Sequence, residues 1–382
     1  MKIVVERTEF LKAWQVAMKY TPTTTTMEAL NGIRIMASLE GITLEASDLK
    51  SAVKYPIAGR VDEAGEAVLN AAIFGDMLKK AGTEQVVVET TAKRGILATE
   101  NSEMRFAVIP ADTFPNLPES SNAEDICEID EADFVRIVGE GCSASSTPSE
   151  FPKYMGMCLL RTGGGMLMAV STDGRRLAYS RMVCDVKSDV DLVVPAPNLK
   201  ELVKTWTGDG MVKVKADDSM VWFLLDGAEY SIRKVDTTFP KYEKILKDEF
   251  VATIQVSKEV LVPALERVVV IAKNTPDRLM ALSLKDGLMV RARAAGVGTV
   301  QETIEGAELG GAELSVGFNV NLFLAGLRAA SSNEVLIELS GEEEQARIYN
   351  IGSRDFLYML MPMRLSAQDV ADEEDADAAI ND

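Results

Sequence analysis

A chain of 382 residues, of which 47% are hydrophobic and 26% charged, is long enough to form two or three folded domains. Its formal net charge of −19 excludes a protein that coats nucleic acid by bulk attraction, because nonspecific binding depends on basic residues facing phosphates. The chain contains no histidine, which removes the usual base of a serine or cysteine hydrolase and a common ligand of zinc.

The N-terminus and the cysteines bear on the compartment and on covalent chemistry. The opening MKIVVERTEF places Glu6, Arg7 and Glu9 where a signal peptide needs apolar residues. No apolar run reaches the ~20 residues of a membrane span. The four cysteines share no CxxC spacing, so we predict free thiols. We therefore expect a cytoplasmic protein with no membrane partner, no metal and no cofactor.

The first predicted helix lies within ERTEFLKAWQVAMK. Phe10, Trp14 and Met18 recur at four-residue steps, which is the spacing of an apolar helix face. Lysines accompany this helix and a second apolar segment further along: Lys12, Lys19, Lys79 and Lys80. One face of each helix is thus predicted to be core and another to be basic.

A similar series of elements begins again near residue 123. The phrase DEADFVRIV resembles the first helix, and its Phe134 follows Phe10 by 124 residues. A tight turn in TDGRRLA and a helix in NLKELVKTW follow, and the helix carries Lys200 and Lys204 at i and i+4.

A third series begins near residue 260 with SKEVLVPAL, and NVNLFLAGL continues it just before Arg328. A Phe-Pro phrase links the repeats, because Phe114 and Phe239 are 125 residues apart. In YMLMPMRL, Pro362 follows Pro240 by 122 residues. Since proline has no N–H to give a ladder, we expect YMLMPMRL not to be an ordinary central strand.

These repeats predict an α+β fold with three similar domains. Each repeat contains a strand, an amphipathic helix, several strands joined by tight turns, a second helix and closing strands. We place the domains at residues 1–122, 123–249 and 250–365. Residues 366–382 carry seven acidic residues and no basic one, so we predict a disordered acidic tail.

The lysines on the predicted helices have two interpretations. On a single helix they indicate a solvated face, which is the commoner case. In an acidic protein that places them on equivalent helices of successive repeats, they can instead form one positive surface.

The sequence resembles the bacterial DNA sliding clamp family, the beta subunit of DNA polymerase III. The resemblance rests on TDGRRLA (172–178), FPKY (239–242), GFNV (317–320) and MPMRL (361–365), in this order and spacing. It implies three clamp domains per chain and a head-to-tail homodimer. The dimer would close a six-domain ring with inner helices and outer β-sheets around duplex DNA.

The resemblance also implies a pocket between the second and third domains, where partner proteins insert a short apolar peptide. The expected partners are the DNA polymerase III core, the clamp loader and other clamp-binding replication and repair proteins. Flexible thioethers and aliphatic groups suit such an adaptable groove. The residues carried over to this pocket are Met155, Thr172, Gly174, Arg176, Leu177, Pro240, Ile245, Asn319, Met361, Pro362, Met363 and Arg364. Without the family, core packing explains Met361 and Met363 equally well.

For DNA, the resemblance implies passage through the ring without sequence readout. The residues expected to face DNA are Lys12, Lys19, Lys79, Lys80, Tyr154, Lys200, Lys204 and Arg328. For the dimer, the family joins the first domain to the partner's third domain. That contact would bring Phe106 and Val108 against Val270 and Ile271 of the partner subunit.

The chain departs from the family pattern at several places. An early loop reads TPTTTTMEALNG instead of a phrase with a basic residue, Arg175 replaces a frequent histidine, and Pro152 replaces a frequent arginine. These changes predict an altered DNA contact and altered partner preferences. Relatives usually end near MRL, so the acidic tail is an addition beside the pocket, and we expect it to repel acidic partners or to compete for the pocket rim.

Two alternatives remain at this stage. An enzyme is disfavoured, because GEGCSASS has no histidine to serve as base and RTGGGM lacks the Gly-Lys-Ser/Thr of a phosphate-binding loop. A ring-shaped scaffold that binds proteins but never encircles DNA stays open.

Overall fold

The computed structural model describes residues 1–147, 152–206, 209–246, 249–366 and 369. The predicted acidic tail lies outside these residues except at Ser366 and Asp369. The Ser366 hydroxyl donates a hydrogen bond to the Asp369 carboxylate at 2.6 Å.

The first repeat contains nine strands and two helices. They are β1 (Lys2–Glu6), α1 (Arg7–Met18), β2 (Gly32–Ser38), β3 (Gly41–Ser47), β4 (Ser51–Ile57), β5 (Arg60–Glu63), β6 (Gly65–Asn70), α2 (Ala71–Lys80), β7 (Gln85–Thr90), β8 (Arg94–Ala98) and β9 (Glu103–Ala107).

The second repeat follows the same plan within its described residues. Its elements are β10 (Glu124–Asp130), α3 (Glu131–Gly141), β11 (Met157–Gly163), β12 (Met166–Thr172), β13 (Arg176–Val183), β14 (Asp185–Val186), β15 (Asp191–Pro195), α4 (Ala196–Val203), β16 (Met211–Ala216), β17 (Met220–Leu225) and β18 (Ala228–Arg233).

The third repeat keeps the order again. Its elements are β19 (Ala252–Ser257), α5 (Lys258–Ala272), β20 (Leu279–Ser283), β21 (Leu288–Ala294), β22 (Gly298–Ile304), β23 (Glu308–Gly311), β24 (Ser315–Asn319), α6 (Val320–Ala329), β25 (Glu334–Leu339), β26 (Ala346–Asn350) and β27 (Phe356–Leu360). The predicted α+β fold with three similar domains is confirmed.

Side-chain caps fix where several helices begin. The Glu6 carboxylate accepts hydrogen bonds from the backbone N–H groups of Thr8 and Glu9, at 2.9 and 2.6 Å, at the start of α1. Asn70 and Asn319 cap α2 and α6 in the same way. Each cap satisfies backbone donors that the first turn of a helix leaves without partners.

By their contacts the residues divide into two units, and the second repeat contributes to both. Unit 1 contains residues 1–134 and 184–235. Its larger sheet has the strand order β14-β10-β16-β17-β18-β4-β3-β2-β6. The pairing of β18 with β4, in which Tyr230 lies opposite Val53, joins the second repeat to the first.

Unit 1 also has a five-stranded sheet with the order β5-β1-β7-β8-β9. Its helices α1 and α2 pack through an aromatic cluster of Phe10, Trp14 and Phe74, with the Trp14 and Phe74 ring centroids 4.7 Å apart. The Trp14 indole N–H donates to the Ala71 carbonyl at 2.8 Å, which ties α1 to the start of α2. The predicted apolar face of α1 therefore does form core.

Unit 2 contains residues 135–183 and the chain from residue 236 onward. The strands that this unit contributes to its larger sheet run in the order β11-β12-β13-β27-β26-β25-β19-β23, and a second sheet has the order β22-β21-β20-β24. The pairing of β13 with β27, in which Ala178 lies opposite Tyr358, joins the second repeat to the third.

The segment YMLMPMRL corrects one expectation. Its first three residues belong to β27, which lies between β13 and β26 and is buried throughout. The expectation that this segment avoids a central strand was therefore wrong for these residues. Pro362 lies two residues beyond the end of β27, where no ladder requires its N–H.

Candidate functional site

The predicted pocket residues of unit 2 surround the turn between β12 and β13. The Thr172 hydroxyl donates to the Arg176 carbonyl at 2.7 Å and accepts from the Gly174 N–H at 3.2 Å. The Asp173 carboxylate accepts from the backbone N–H groups of Arg175 and Arg176. Gly174 has a φ of +85°, a backbone conformation that favours glycine. These contacts fix the turn as a rigid part of the site.

Arg176 connects this turn to the third repeat. Its guanidinium donates to the Asp173 carboxylate at 2.8 Å, to the Tyr358 hydroxyl at 3.1 Å and to the Ser145 carbonyl at 3.3 Å. The Tyr358 hydroxyl in turn donates to the Leu322 carbonyl at 2.8 Å. Because a half-buried guanidinium needs such partners, Arg176 holds several elements in one arrangement.

Burial raises the pKa of Tyr358 to about 12, although the nearby Arg176 guanidinium lowers it in part. The hydroxyl therefore keeps its proton at neutral pH and remains a donor to Leu322. Tyr358 is absent from the predicted pocket residues, because its partners Arg176 and Leu322 are far from it in the sequence.

The C-terminal segment leaves β27 and crosses to β24 beside this turn. The Met361 N–H donates to the Arg175 carbonyl at 2.9 Å, and the Met363 N–H donates to the Gly317 carbonyl at 2.8 Å. Met361 is 46% exposed, whereas Pro362 and Met363 are half-buried. The segment thus presents apolar side chains at the surface while its backbone is held from both sides.

Asn319 has a structural role at this place. Its side-chain oxygen accepts from the N–H groups of Asn321 and Leu322, and its amide nitrogen donates to the Asp277 carbonyl at 2.5 Å. Arg175 forms an exposed ion pair with Asp277 at 3.6 Å. Asn319 therefore links α6 to the turn region through its cap, a role that an asparagine before an apolar helix signals in the sequence.

The remaining predicted pocket residues differ in their surroundings. Met155 lies beside the turn, because a Cβ on Gly174 would be 3.4 Å from its Cε atom. Thr172 and Leu177 are buried, so they can contact a ligand only if neighbouring side chains move. Ile245 is exposed, and its carbonyl accepts from the Gln345 side chain at 3.0 Å.

Pro240 and Arg364 lie at other contacts. The Pro240 carbonyl accepts from the Tyr242 N–H at 2.9 Å. Arg364 forms an exposed ion pair with Glu343 at 3.7 Å. The turn residues, Met155, Asn319 and residues 361–363 are thus linked through shared partners, whereas the described contacts of Pro240, Ile245 and Arg364 lead elsewhere in unit 2.

The predicted DNA-facing lysines of unit 1 are mostly paired with carboxylates. Glu201 on α4 receives Lys204 at 2.8 Å and Lys19, at the end of α1, at 3.3 Å. The hydrogen bond from Lys204, with help from Lys19, lowers the pKa of Glu201, so its charge persists into the acid range. The structure therefore brings two of the predicted lysines together, but around a negative charge.

Other predicted DNA contacts follow a similar pattern. Lys12 pairs with Glu9 at 2.6 Å, and Lys79 pairs with Asp76 at 3.5 Å. Lys80 is exposed, and Lys200 is half-buried on α4.

The two candidates in unit 2 are Arg328 and Tyr154. Arg328 on α6 pairs with Glu266 on α5 at 2.5 Å. The half-buried Tyr154 ring lies 6.4 Å from that of Phe239.

The predicted dimer residues lie on or beside strands at sheet edges. Phe106 belongs to β9, an edge strand of the five-stranded sheet in unit 1, and Val108 follows that strand. In unit 2, β22 is an edge strand of the four-stranded sheet, and Val270 and Ile271 lie on α5. Val270 is 56% exposed.

The described ranges also bear on metal and membrane features. They hold no group of three or more histidine, cysteine or acidic side chains that could bind a metal ion. None of the helices in this part of the chain is long and apolar enough to cross a membrane.

Comparisons with known proteins cover nearly the whole chain. Family models of the DNA polymerase III beta subunit match in order, with the N-terminal domain at residues 1–118, the central domain at 128–241 and the C-terminal domain at 243–364. The beta sliding clamp of Pseudomonas putida is 24% identical over 375 residues, covering 96% of this chain and 100% of that protein. The clamp of Staphylococcus aureus strain Mu50 is 22% identical over 376 residues, covering 95% and 99%.

Solved structures give the same result for the fold. The DNA polymerase sliding clamp of Bacillus subtilis matches with a TM-score of 0.89 at 22% identity, covering 96% of this chain and 100% of that chain. A sliding clamp of Pseudomonas aeruginosa, bound to griselimycin, matches with the same TM-score, identity and coverage.

Proposed function

The chain belongs to the DNA polymerase III beta subunit family, the bacterial sliding clamps, and from this premise we propose that it encircles duplex DNA and tethers the replicative polymerase to it. The observation that carries the proposal is the threefold order of elements, which three family models match as successive domains. Like a processivity factor, the protein would act by enclosing DNA, and this action requires no catalysis. We place the protein in the cytoplasm, where the chromosome is replicated.

The strand order supports a head-to-tail homodimer. In unit 1 the last strand of the second repeat pairs with β4, and in unit 2 the last strand of the third repeat pairs with the equivalent strand β13. In both units, the last strand of one repeat thus pairs with the strand equivalent to β4 in another repeat. The last strand of the first repeat, β9, lies at a sheet edge, and so does β22, the equivalent of β4 in the third repeat. The five strands that end at β9 and the four that begin at β22 correspond, in number and order, to the nine strands of the larger sheet of unit 1.

We therefore propose that β9 pairs with β22 of the partner subunit and that two such seams close a ring. Phe106 and Val108 would lie at one side of the seam, and Val270 and Ile271 at the other. An unpaired strand edge exposes backbone donors and acceptors, so it favours this kind of pairing.

The helix lysines would face the DNA backbone without reading sequence. Because most of them are paired with carboxylates, a duplex meets a weakly positive surface, and affinity without topological enclosure should be low. Ion pairs at exposed sites contribute little, so they can exchange as phosphates pass.

The apolar segment from Met361 to Met363, beside the Arg176 turn, would receive a short peptide from each partner. These partners would be the DNA polymerase III core, the clamp loader and other clamp-binding replication and repair proteins. Two half-buried or exposed methionine side chains give an adaptable apolar contact. We also propose that the acidic tail weakens the binding of acidic partners at this place.

The test combines mass in solution with retention on DNA. After loading by the cognate clamp loader, the protein should have the mass of a dimer and should stay on circular DNA but leave the same DNA once it is linearised. Equal retention on both forms would mean adhesive binding, and loss from both would favour a protein scaffold that does not encircle DNA. Either result would contradict the proposal.

A further inference from the structure

Two cysteines meet at the edge of the larger sheet of unit 1. The edge strand β14 pairs with β10, with Val186 opposite Cys127 and Asp185 opposite Glu128. Cys184 immediately precedes β14 and lies two residues before Val186, which places it diagonally across from Cys127. Diagonal neighbours on an antiparallel pair lie about 7–8 Å apart, so two side chains as short as cysteine meet only where they lean toward each other.

The two thiols are in contact and differ in exposure. A hydrogen bond joins the Cys127 and Cys184 side chains, and this bond, followed by burial, raises the pKa of Cys127. Cys127 is 1% exposed, whereas Cys184 is half-buried. An oxidant from solvent therefore reaches Cys184 first, and Cys127 keeps its proton until then.

We propose that Cys127 and Cys184 form a reversible disulfide when hydrogen peroxide oxidises the protein. The Cys184 sulfur attacks the peroxide oxygen, which breaks the O–O bond and gives a sulfenic acid and one water molecule. The Cys127 sulfur then attacks the Cys184 sulfur, forming the S–S bond and breaking the S–O bond. The displaced hydroxide takes the Cys127 proton as a second water molecule, so hydrogen peroxide is reduced while two thiols are oxidised.

The disulfide would fasten a short edge element. Strand β14 has two residues, and beyond it the N–H groups of Lys187 and Ser188 both donate to the Ile126 carbonyl, at 2.8 and 3.2 Å. Cys184 is also the residue at which the chain enters unit 1 for the second time. A covalent bond to β10 at this residue closes a long loop and restricts the unfolded chain.

The other two cysteines provide internal controls. Cys142 and Cys158 are both fully buried in unit 2. A proximity-driven reaction should leave them reduced, whereas oxidation of an unfolded chain would not discriminate among the four.

The test exposes the full chain to hydrogen peroxide at increasing concentrations and then maps the cysteines by mass spectrometry. We expect a linked peptide pair containing Cys127 and Cys184, lighter by two hydrogens, with loss of two of the four thiols and recovery by a dithiol reductant. The oxidised form should melt at a higher temperature than the reduced form. Cys142→Ser should leave the linkage intact, and Cys184→Ser should abolish it.

Since Cys127 is buried, Cys127→Ser can destabilise the fold, so the half-buried Cys184 is the primary site of substitution. In the Cys127→Ala variant, which must first show wild-type circular dichroism, Cys184 should accumulate as sulfenic or sulfinic acid. If wild-type protein that is still folded yields Cys184 sulfinic acid without any linked pair, or links Cys142 or Cys158 instead, the proposal is wrong.

Discussion

At the scale of single residues, Arg176 is the side chain on which the proposed peptide pocket depends most. Arg176→Lys removes the planar donors that reach the Tyr358 hydroxyl and the Ser145 carbonyl, so each of these acceptors loses a hydrogen bond. We expect a loss of about 1–3 kcal/mol in the free energy of unfolding and weaker binding of a clamp-binding peptide from the cognate polymerase. Urea denaturation and isothermal calorimetry would measure the two effects.

Arg175→Lys is the matched control for that substitution. Arg175 is exposed, and its pair with Asp277 spans 3.6 Å, so we expect a change in unfolding free energy of about 0–1 kcal/mol. Equal effects at both positions would show that Arg176 has no special structural role.

The hydroxyl of Tyr358 gives a pH-dependent prediction. Its folded-state pKa of about 12 lies above the ordinary value of 10.0, because burial favours the neutral form. The stabilisation is complete below the unfolded-state pKa and is lost as pH rises through the folded-state pKa. The stability difference between wild type and Tyr358→Phe should therefore be constant in neutral solution and shrink above about pH 10.

Denaturation of both proteins across this alkaline range measures the difference directly. Titration of the other buried tyrosines, Tyr20 and Tyr230, affects both proteins and cancels. A difference that grows with pH would contradict the assignment of Tyr358 as a buried donor.

Glu201 gives a prediction for DNA binding that rests on the proposed function. Glu201→Gln leaves Lys19 and Lys204 without their shared carboxylate. We expect tighter binding to linear duplex DNA and a steeper dependence of affinity on salt, because more counterions are released. Fluorescence anisotropy at several salt concentrations measures both quantities.

Glu119→Gln is the control, because it changes the net charge equally at an exposed residue. If the two variants bind DNA equally well, net charge accounts for the effect and the Lys19–Glu201–Lys204 cluster does not face DNA.

At the scale of elements, Gly317 determines how the C-terminal segment docks on β24. A Cβ at this position would lie 2.4 Å from the Met363 carbonyl oxygen and 2.9 Å from a Leu365 methyl group. Gly317→Ala should therefore displace residues 361–365, lower stability by about 1–3 kcal/mol and weaken binding of the polymerase peptide.

Gly139 is the matched glycine for this experiment. It lies on α3, and a Cβ there would meet nothing within 4 Å. Gly139→Ala should stabilise the protein by up to about 1 kcal/mol and leave peptide binding unchanged. If Gly317→Ala binds the peptide as well as the wild type does, the C-terminal segment is not part of the peptide-binding pocket.

The elements also show what the sequence can predict and where it stops. Helix α1 was predictable because Phe10 and Trp14 recur at the spacing of a buried face, and the order of elements followed from the recurrence of such phrases. The pairings of β18 with β4 and of β13 with β27 were not, since register between distant strands leaves no local signal.

Some side-chain roles could likewise be predicted from the sequence, and others could not. The pair of Lys12 with Glu9 lies within one helical turn and can be inferred from spacing, whereas Lys19 meets Glu201 only through the fold. The role of Tyr358 was not predicted, because its hydrogen-bond partners are distant in the sequence and its ring packs against Gly326, where a Cβ would lie 2.4 Å from the ring. That fit depends on volume, which a linear pattern does not encode.

At the scale of the whole molecule, the proposed seam leads to a prediction of mass. Val270→Asp places a charge on an exposed valine of α5, so it should convert the dimer into a folded monomer and abolish retention on circular DNA. Light scattering over a range of concentrations measures the mass.

Leu39→Asp is the control, because Leu39 is fully exposed in the turn between β2 and β3. It should remain a dimer. Dissociation of both variants, or of neither, would place the seam elsewhere.

The division of one sheet pattern into five and four strands has a kinetic consequence for the proposed ring. The junctions β4–β18 and β13–β27 join strands of one polypeptide, so a separated pair re-forms at an effective concentration in the millimolar range or above. The proposed β9–β22 contact joins two separate polypeptides. Once both such contacts of the ring have separated, no covalent connection holds the two strands near each other. Ladders of similar structure can thus have unequal lifetimes. The proposed ring would open first at a β9–β22 seam, where the first repeat of one subunit meets the third repeat of the other.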